Sequence, residues 1–356
     1  MAKSIFNFEK ENEGFAPCLA QPDDVMSLIF TSGTTGDPKG VMLTCKNFVC
    51  NAESLMKTGY LKENEVILGL LPLHHCYAFT TSFMIPLVGG YTATFQPILK
   101  GPEIVKAMQE TGVSFAPAVP KLVSMFYQAI FDNVKKQSSF KRFMFAIFYS
   151  ISRFFRVWFG IKIGKLFFVQ IHKRFGPKFK FFVSGGAKLD PEAGEKLWNL
   201  GITVMEGYGL TETAPIICTT SPYHFAPGSV GPSVPDVEVK IDNPAKDGVG
   251  EIIMRGPNLM KGYYKREDYT AEVVKDGWLH TGDLGFIDKK GYVHITGRAK
   301  DVIVLGSGKN VYPEDVEKHY EKSPIVAEVC VFGQKMADGL SESLSEIGRA
   351  SCRERV

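Results

Sequence analysis

Residues Thr31–Gly40, TSGTTGDPKG, gather hydroxyls, glycines and one lysine into a single short stretch. Gly33, Gly36 and Gly40 let a backbone approach a ligand closely. Thr31, Ser32, Thr34 and Thr35 offer hydroxyl donors, and Lys39 adds a compact positive charge. Backbone N–H groups in such a loop can cradle phosphate oxygens. The stretch is not a Walker loop, because no Gly-Lys-Ser/Thr ending closes a spacer of that length. As composition alone it also fits a flexible Gly/Thr turn; the ordered string SGTTGDPKG is far more specific. A GxSxG nucleophile elbow is absent from the sequence.

The elements that must position this loop follow from apolar patterning. VMSLIF (Val25–Phe30) predicts a buried strand running into the loop, and TCKNFVCNAESLM (Thr44–Met56) a helix after it, with Thr44 as N-cap. Further strands are predicted at EVILGLL, YTATF, VSFAPAV and FKFFVSGG. Helical stretches such as GPEIVKAMQE and DPEAGEKLWNLG lie between them. Strand–helix alternation predicts an α/β fold with a mainly parallel sheet covered by helices. After Pro215 the texture changes to short strands, VEVKI, GEIIMR, LGFID and YVHIT, joined by Gly, Pro and Asp turns, with DKKG as a hairpin connection. This predicts a small antiparallel unit. Asp301–Gly333 then gives strand, loop, helix and strand, the expected start of another domain.

The length of 356 residues suits two domains, or one large α/β domain with an appendage, and 45% apolar residues allow a substantial core. A net charge of +3 is too small to argue for nucleic acid. The seven cysteines are scattered, odd in number and without a CxxC pair. This argues against a disulfide framework or zinc site and for free thiols in a reducing cytosol. No apolar run reaches the length of a spanning helix, so the expected location is cytoplasmic.

Two segments stand apart. From Asn133 to Leu189 there is no Asp or Glu, while Lys and Arg recur among Phe, Trp and Ile. A basic, aromatic helical pair over 138–180 can lie on the inner face of an anionic membrane, border a greasy substrate tunnel, or form ordinary helices with aromatic core faces. The end, EIGRASCRERV, has no periodicity. Residues 346–356 can be encoded by a DNA string resembling a short-read sequencing adapter. The expectation is therefore an artefactual tail, with a genuine basic tail as the alternative.

Several motifs now join the loop in a fixed order: LPLHHCYAF (Leu71–Phe79), SGGAKL (Ser184–Leu189), EGYGLTET (Glu206–Thr213), GWLHTGDLG (Gly277–Gly285) and GRAKDVIVLGSGKNVYPEDVE (Gly297–Glu317). In this order the chain resembles the AMP-forming acyl-adenylate/thioester ligase superfamily, and most of all its long-chain fatty acyl-CoA synthetases. The resemblance implies ATP, Mg²⁺, a fatty acid and CoA as ligands. It implies that Thr31–Lys39 hold the β- and γ-phosphates, and that Gly185, Gly186 and Ala187 form a wall against adenine. In the stretch Glu206, Gly207, Tyr208 and Gly209, Tyr208 packs on adenine; then Thr211 touches the α-phosphate and Glu212 ligates Mg²⁺. Asp283 takes the ribose hydroxyls and Arg298 contacts ribose or phosphate. His75 stands at a gate beside the acyl carboxylate, a buried and satisfied histidine being the alternative. Lys300 matches the hinge of the small domain, and Gly306, Ser307, Gly308 and Lys309 would approach CoA.

Against the family pattern, the phosphate loop lies unusually near the start, and the motif holding the family's adenylation lysine is not reached. The expectation is 1–298 as an N-terminally truncated AMP-binding domain and 299–345 as the beginning of the C-terminal domain, in a fragment that adenylates weakly. Two other functions stand beside the CoA ligase: adenylation for a carrier protein, and nucleotide binding without catalysis.

Overall fold

The computed structural model describes residues 20–32, 38–224, 226–305, 310–321, 323, 325–335 and 342–350. Gly33, Thr34, Thr35 and Gly36 of the phosphate loop, and Gly306–Lys309, lie outside the described residues.

The first elements are β1 (Val25–Ser32), β2 (Pro38–Thr44) and α1 (Cys45–Lys57). β3 (Val66–Gly69) leads to α2 (Cys76–Phe79), which continues through a π-turn (Thr80–Met84) into α3 (Ile85–Gly89). β4 (Thr92–Phe95), α4 (Gly101–Thr111), β5 (Phe115–Ala118) and α5 (Pro120–Lys135) follow. The basic-aromatic segment forms one long helix, α6 (Ser139–Phe159), and two short ones, α7 (Gly164–Phe167) and α8 (Val169–Phe175). Then come β6 (Phe181–Ser184), α9 (Pro191–Asn199), β7 (Thr203–Gly209) and β8 (Ile216–Thr219). The remainder is β9 (Glu238–Asp242), β10 (Gly250–Arg255), β11 (Gly262–Tyr263), α10 (Glu267–Val273), β12 (Val274–Lys275), β13 (Trp278–Ile287) and β14 (Val293–Arg298). After these stand β15 (Ile303–Val304), β16 (Asn310–Val311), α11 (Pro313–Glu321), β17 (Val326–Lys335) and β18 (Glu342–Ala350), the last two paired antiparallel.

The central sheet has the order β4-β3-β5-β6-β7-β8, parallel up to β7 and closed by the antiparallel β8. Its inner strands β3, β5 and β6 read as largely apolar runs because both their faces are covered, while the edge strand β4 is partly exposed. Neighbouring residues point to opposite faces, so Leu68, Ala116, Phe182 and Val204 enter one core cluster while Ile67, Phe115, Phe181 and Met205 enter another. A second sheet, β12-β13-β10-β9 with β14 on β13, is the antiparallel unit expected after Pro215, and Asp288–Gly291 make its hairpin.

The expectation for the first strand needs correction. β1 is not buried: Val25, Met26, Leu28 and Phe30 are exposed at the edge of a small sheet, β1-β2-β11. The segment after it connects strand to strand rather than strand to helix, since Ser32 faces Pro38 in antiparallel register. The helix begins only at Cys45. Thr44 accepts from the Asn47 N–H and Asn47 Oδ1 from the Thr44 N–H, a reciprocal cap that fixes the helix start after β2.

Candidate active site

The turn between β7 and β8 carries Thr211 and Glu212, and buried polar side chains hold it. Asn51 makes two hydrogen bonds with the backbone of Ile216, at 2.7 and 3.1 Å. Asn258 Nδ2 donates to the carbonyls of Thr213 (2.7 Å) and Ile216 (3.1 Å), and Thr80 donates to that of Ala214 (2.9 Å). Thr213 Oγ1 donates to the Pro215 carbonyl at 2.5 Å. Asn51, Thr80, Thr213 and Asn258 are fully buried. Each therefore satisfies backbone groups that water cannot reach. Gly209 is required by contact: a Cβ there would overlap the carbonyl oxygen of Pro215. The turn that presents Thr211 and Glu212 is thus fixed by its surroundings.

β11 lies on β2, pairing Tyr263 with Val41, and brings a second group of residues to the same place. Tyr263 Oη donates to Glu212 Oε1 at 2.7 Å. Lys39 Nζ sits 3.8 Å from the ring centre of Tyr269 and 5.4 Å from that of Tyr263. The lysine of the glycine-rich stretch and the glutamate of the turn are therefore linked through one tyrosine. Burial, reinforced by the Glu212 charge, pushes the Tyr263 phenol up, so it remains a donor.

A third group comes from β13 and β14. Asp283 and Arg298 are cross-strand partners, and Arg298 Nε donates to Asp283 Oδ1 at 3.0 Å. Tyr208 Oη donates to Asp283 Oδ2 at 2.7 Å. Asp283 is only 4% exposed, and each of its two carboxylate oxygens accepts one of these hydrogen bonds. The Tyr208 phenol is pushed well up, by burial first and then by Asp283. Glu251 shapes the turn before Asp283, accepting from the Gly282 N–H (2.9 Å) and pairing with His280 Nδ1 (2.9 Å).

Members of all three groups line one cavity of about 960 Å³, whereas Asp283 and Tyr269 are not among its lining residues. Thr31, Lys39, His75, Gly185, Gly186, Gly207, Tyr208, Gly209, Thr211, Glu212, Arg298 and Lys300 all contribute to its wall. Leu55, Leu61, Ile85, Phe115, Phe181 and Met205 form an apolar region of the same cavity. Gly185 is packed by the Tyr77 ring, 3.0 Å from where a Cβ would stand, and Tyr77 Oη donates to the Val183 carbonyl at 2.8 Å. His75 is exposed at the start of α2, its ring 4.2 Å from that of His74, which removes the alternative of a buried, satisfied histidine. Ala187 is exposed and does not line the cavity, and Glu206 lies instead at a small depression with Trp198, Thr220 and His224. Ser32 ends β1.

The sequence reading missed Asn51, Thr80, Asn258, Tyr263 and Tyr269. The adjacent aromatics in KGYYKREDY were a visible signal for the tyrosines; nothing local marked the two asparagines, whose partners lie far along the chain. Burial pushes the Cys76 thiol up to about 12 and that of Cys218 up further, so both favour the protonated form. A hard cation fits Glu212, because Mg²⁺ is commonly held by one or two carboxylates together with phosphate oxygens and water.

A model of the AMP-binding enzyme family matches residues 2–264. Long-chain-fatty-acid–CoA ligase 6 of Mus musculus is 33% identical over 94% of this chain and 50% of its own length. The peroxisomal long chain acyl-CoA synthetase 7 of Arabidopsis thaliana is 32% identical over 90% of this chain and 47% of its own. The chain thus spans about half the length of these curated relatives. Among solved structures, ATP-bound MatB from Rhodopseudomonas palustris aligns with TM-score 0.74 at 27% identity, covering 97% of this chain and 61% of that one. O-succinylbenzoate coenzyme A synthetase from Bacillus subtilis in complex with AMP aligns with TM-score 0.74 at 25% identity, over 93% of this chain and 60% of that one. No helix among the described residues is long and apolar enough to cross a membrane. On its motifs, fold and family match, the chain belongs to the AMP-binding enzyme family of adenylate-forming ligases.

Proposed function

We propose that this chain carries the carboxylate-activating centre of a long-chain fatty acid–CoA ligase, which joins a fatty acid to AMP and passes the acyl group to CoA. The observation that carries this reading is the convergence of Lys39, Thr211, Glu212 and Arg298, the ion-pair partner of the buried Asp283, on a cavity that also has an apolar region. In the first step the acyl carboxylate attacks the α-phosphorus of ATP and pyrophosphate leaves, so catalysis is chiefly positioning and charge neutralisation. Lys39 with the glycine-rich loop holds the β- and γ-phosphates. Thr211 donates to the α-phosphate, Tyr208 and the Gly185–Gly186 wall take adenine, and Asp283 accepts from the ribose hydroxyls. Bound Mg²⁺ supplies charge neutralisation for the phosphates, with Glu212 as its protein ligand. Residues 1–298 form the AMP-binding portion, and Lys300 begins the segment that turns for the transfer to CoA.

The acyl specificity is tested with non-hydrolysable acyl-sulfamoyl adenosines running from acetyl to palmitoyl. Each methylene entering the apolar region is worth about 0.8 kcal/mol, roughly fourfold in affinity. The affinity should rise steeply with chain length; a flat series would remove the long-chain assignment while leaving nucleotide binding in place.

A further inference from the structure

On α6 the outward surface is built the wrong way round for a helix that faces water. Phe140, Phe143, Phe154 and Trp158 recur at helical spacing and fall on the outer side. Phe143 is 63% exposed and Trp158 73%. Towards the C-terminal end the polarity is inverted, with Ser152 and Arg156 turned inward. Ser152 donates to the Asn199 carbonyl at 2.6 Å, and Arg156 pairs with Glu195 at 3.1 Å. Four rings, Phe154, Phe155, Trp158 and Phe159, pack on one another at the exposed end of the helix. The following turn adds Ile161, and α7 adds Leu166, the latter 74% exposed. Contiguous apolar surface of this kind marks a contact site.

Charge selects the occupant. Lys141, Arg142, Lys165, Lys173 and Arg174 are exposed on α6, α7 and α8, in a segment without a single acidic residue. Lys162 is not counted with them, because its ammonium bonds the Pro222 carbonyl and lies over the Trp198 ring. A second copy of the chain, meeting this surface across a two-fold axis, would set the same cations against themselves. An anionic bilayer instead offers headgroups to the cations and acyl chains to the rings, and tryptophan is at home at that boundary.

We propose that the outer face of α6 with the α6–α7 turn docks on an anionic phospholipid bilayer as a peripheral, non-spanning contact. The test is sedimentation of the whole chain with vesicles of phosphatidylcholine containing about one-third phosphatidylserine, against vesicles of phosphatidylcholine alone. The expected result is stronger partition onto the anionic vesicles, with a blue shift of Trp158 emission that W158F abolishes. K165A with K173A should weaken partition by roughly fivefold for each charge, with an unchanged far-UV spectrum. F154S with W158S should abolish partition; if that variant does not fold, the lysine variant decides alone. No partition onto either vesicle at low salt, or equal partition onto both, would overturn the proposal. So would a concentration-dependent dimer that the lysine or aromatic variant converts to monomer.

Discussion

Removing the Asp283 carboxylate tests whether Tyr208, Asp283 and Arg298 form one coupled unit. In Asp283→Ala the Tyr208 hydroxyl, now buried and without its acceptor, costs about 1–3 kcal/mol. Arg298 is nearly half exposed, so losing its ion pair adds only about 0–1 kcal/mol. The single variant should therefore lose about 1–4 kcal/mol. Tyr208→Phe should lose about 1 kcal/mol, one hydrogen bond. In the double variant no orphaned hydroxyl remains, so its loss should fall short of the sum by about 1–2 kcal/mol. Urea unfolding followed by circular dichroism measures all four corners of the cycle. Additivity to within about 0.5 kcal/mol would refute the coupling and with it the geometry of the site.

Gly209→Ala should destabilise the chain and abolish ATP binding, because the new methyl meets a backbone carbonyl rather than a side chain able to yield; calorimetry and thermal melting check both effects. His172 is held below the usual histidine range by burial, its Nε2 bonded to the Leu200 carbonyl at 2.8 Å. Below about pH 6.5 the unfolded chain therefore binds a proton that the folded chain resists. Stability should fall as pH drops through that value towards the folded pKa, and His172→Gln should flatten the fall in a urea series across pH. Iodoacetamide mapping of the native chain by mass spectrometry should label exposed Cys330 while sparing Cys76 and Cys218, both buried and protonated; labelling of Cys76 at a rate like that of Cys330 would contradict their burial.

What the sequence made legible was local. Apolar runs named the inner strands β3, β5 and β6 of the central sheet because these are covered on both faces, so their residues need no alternation. The ordered motifs brought Lys39, Thr211, Glu212, Asp283 and Arg298 together before any fold was known. Two kinds of information were hidden. VMSLIF has the composition of a buried strand but is an exposed edge, since burial depends on what packs over it. Asn51 and Asn258 look like surface polar residues, yet both bond Ile216, about 165 residues from Asn51 and 42 from Asn258. Tyr263 reaches Glu212 only because β11 pairs with β2, a register between distant segments that no local pattern encodes.

The central claim is that Lys39 and Glu212 serve one nucleotide in one cavity. Titration calorimetry of ATP into the chain, with and without Mg²⁺, and into Lys39→Met and Glu212→Gln, tests it most directly. The parental chain should bind ATP more tightly with Mg²⁺. Glu212→Gln should lose that Mg²⁺-dependent gain, and Lys39→Met should weaken ATP while leaving AMP nearly unchanged, if its charge meets the departing phosphates as proposed. Variants that bind ATP and Mg²⁺ as the parental chain does would contradict the account.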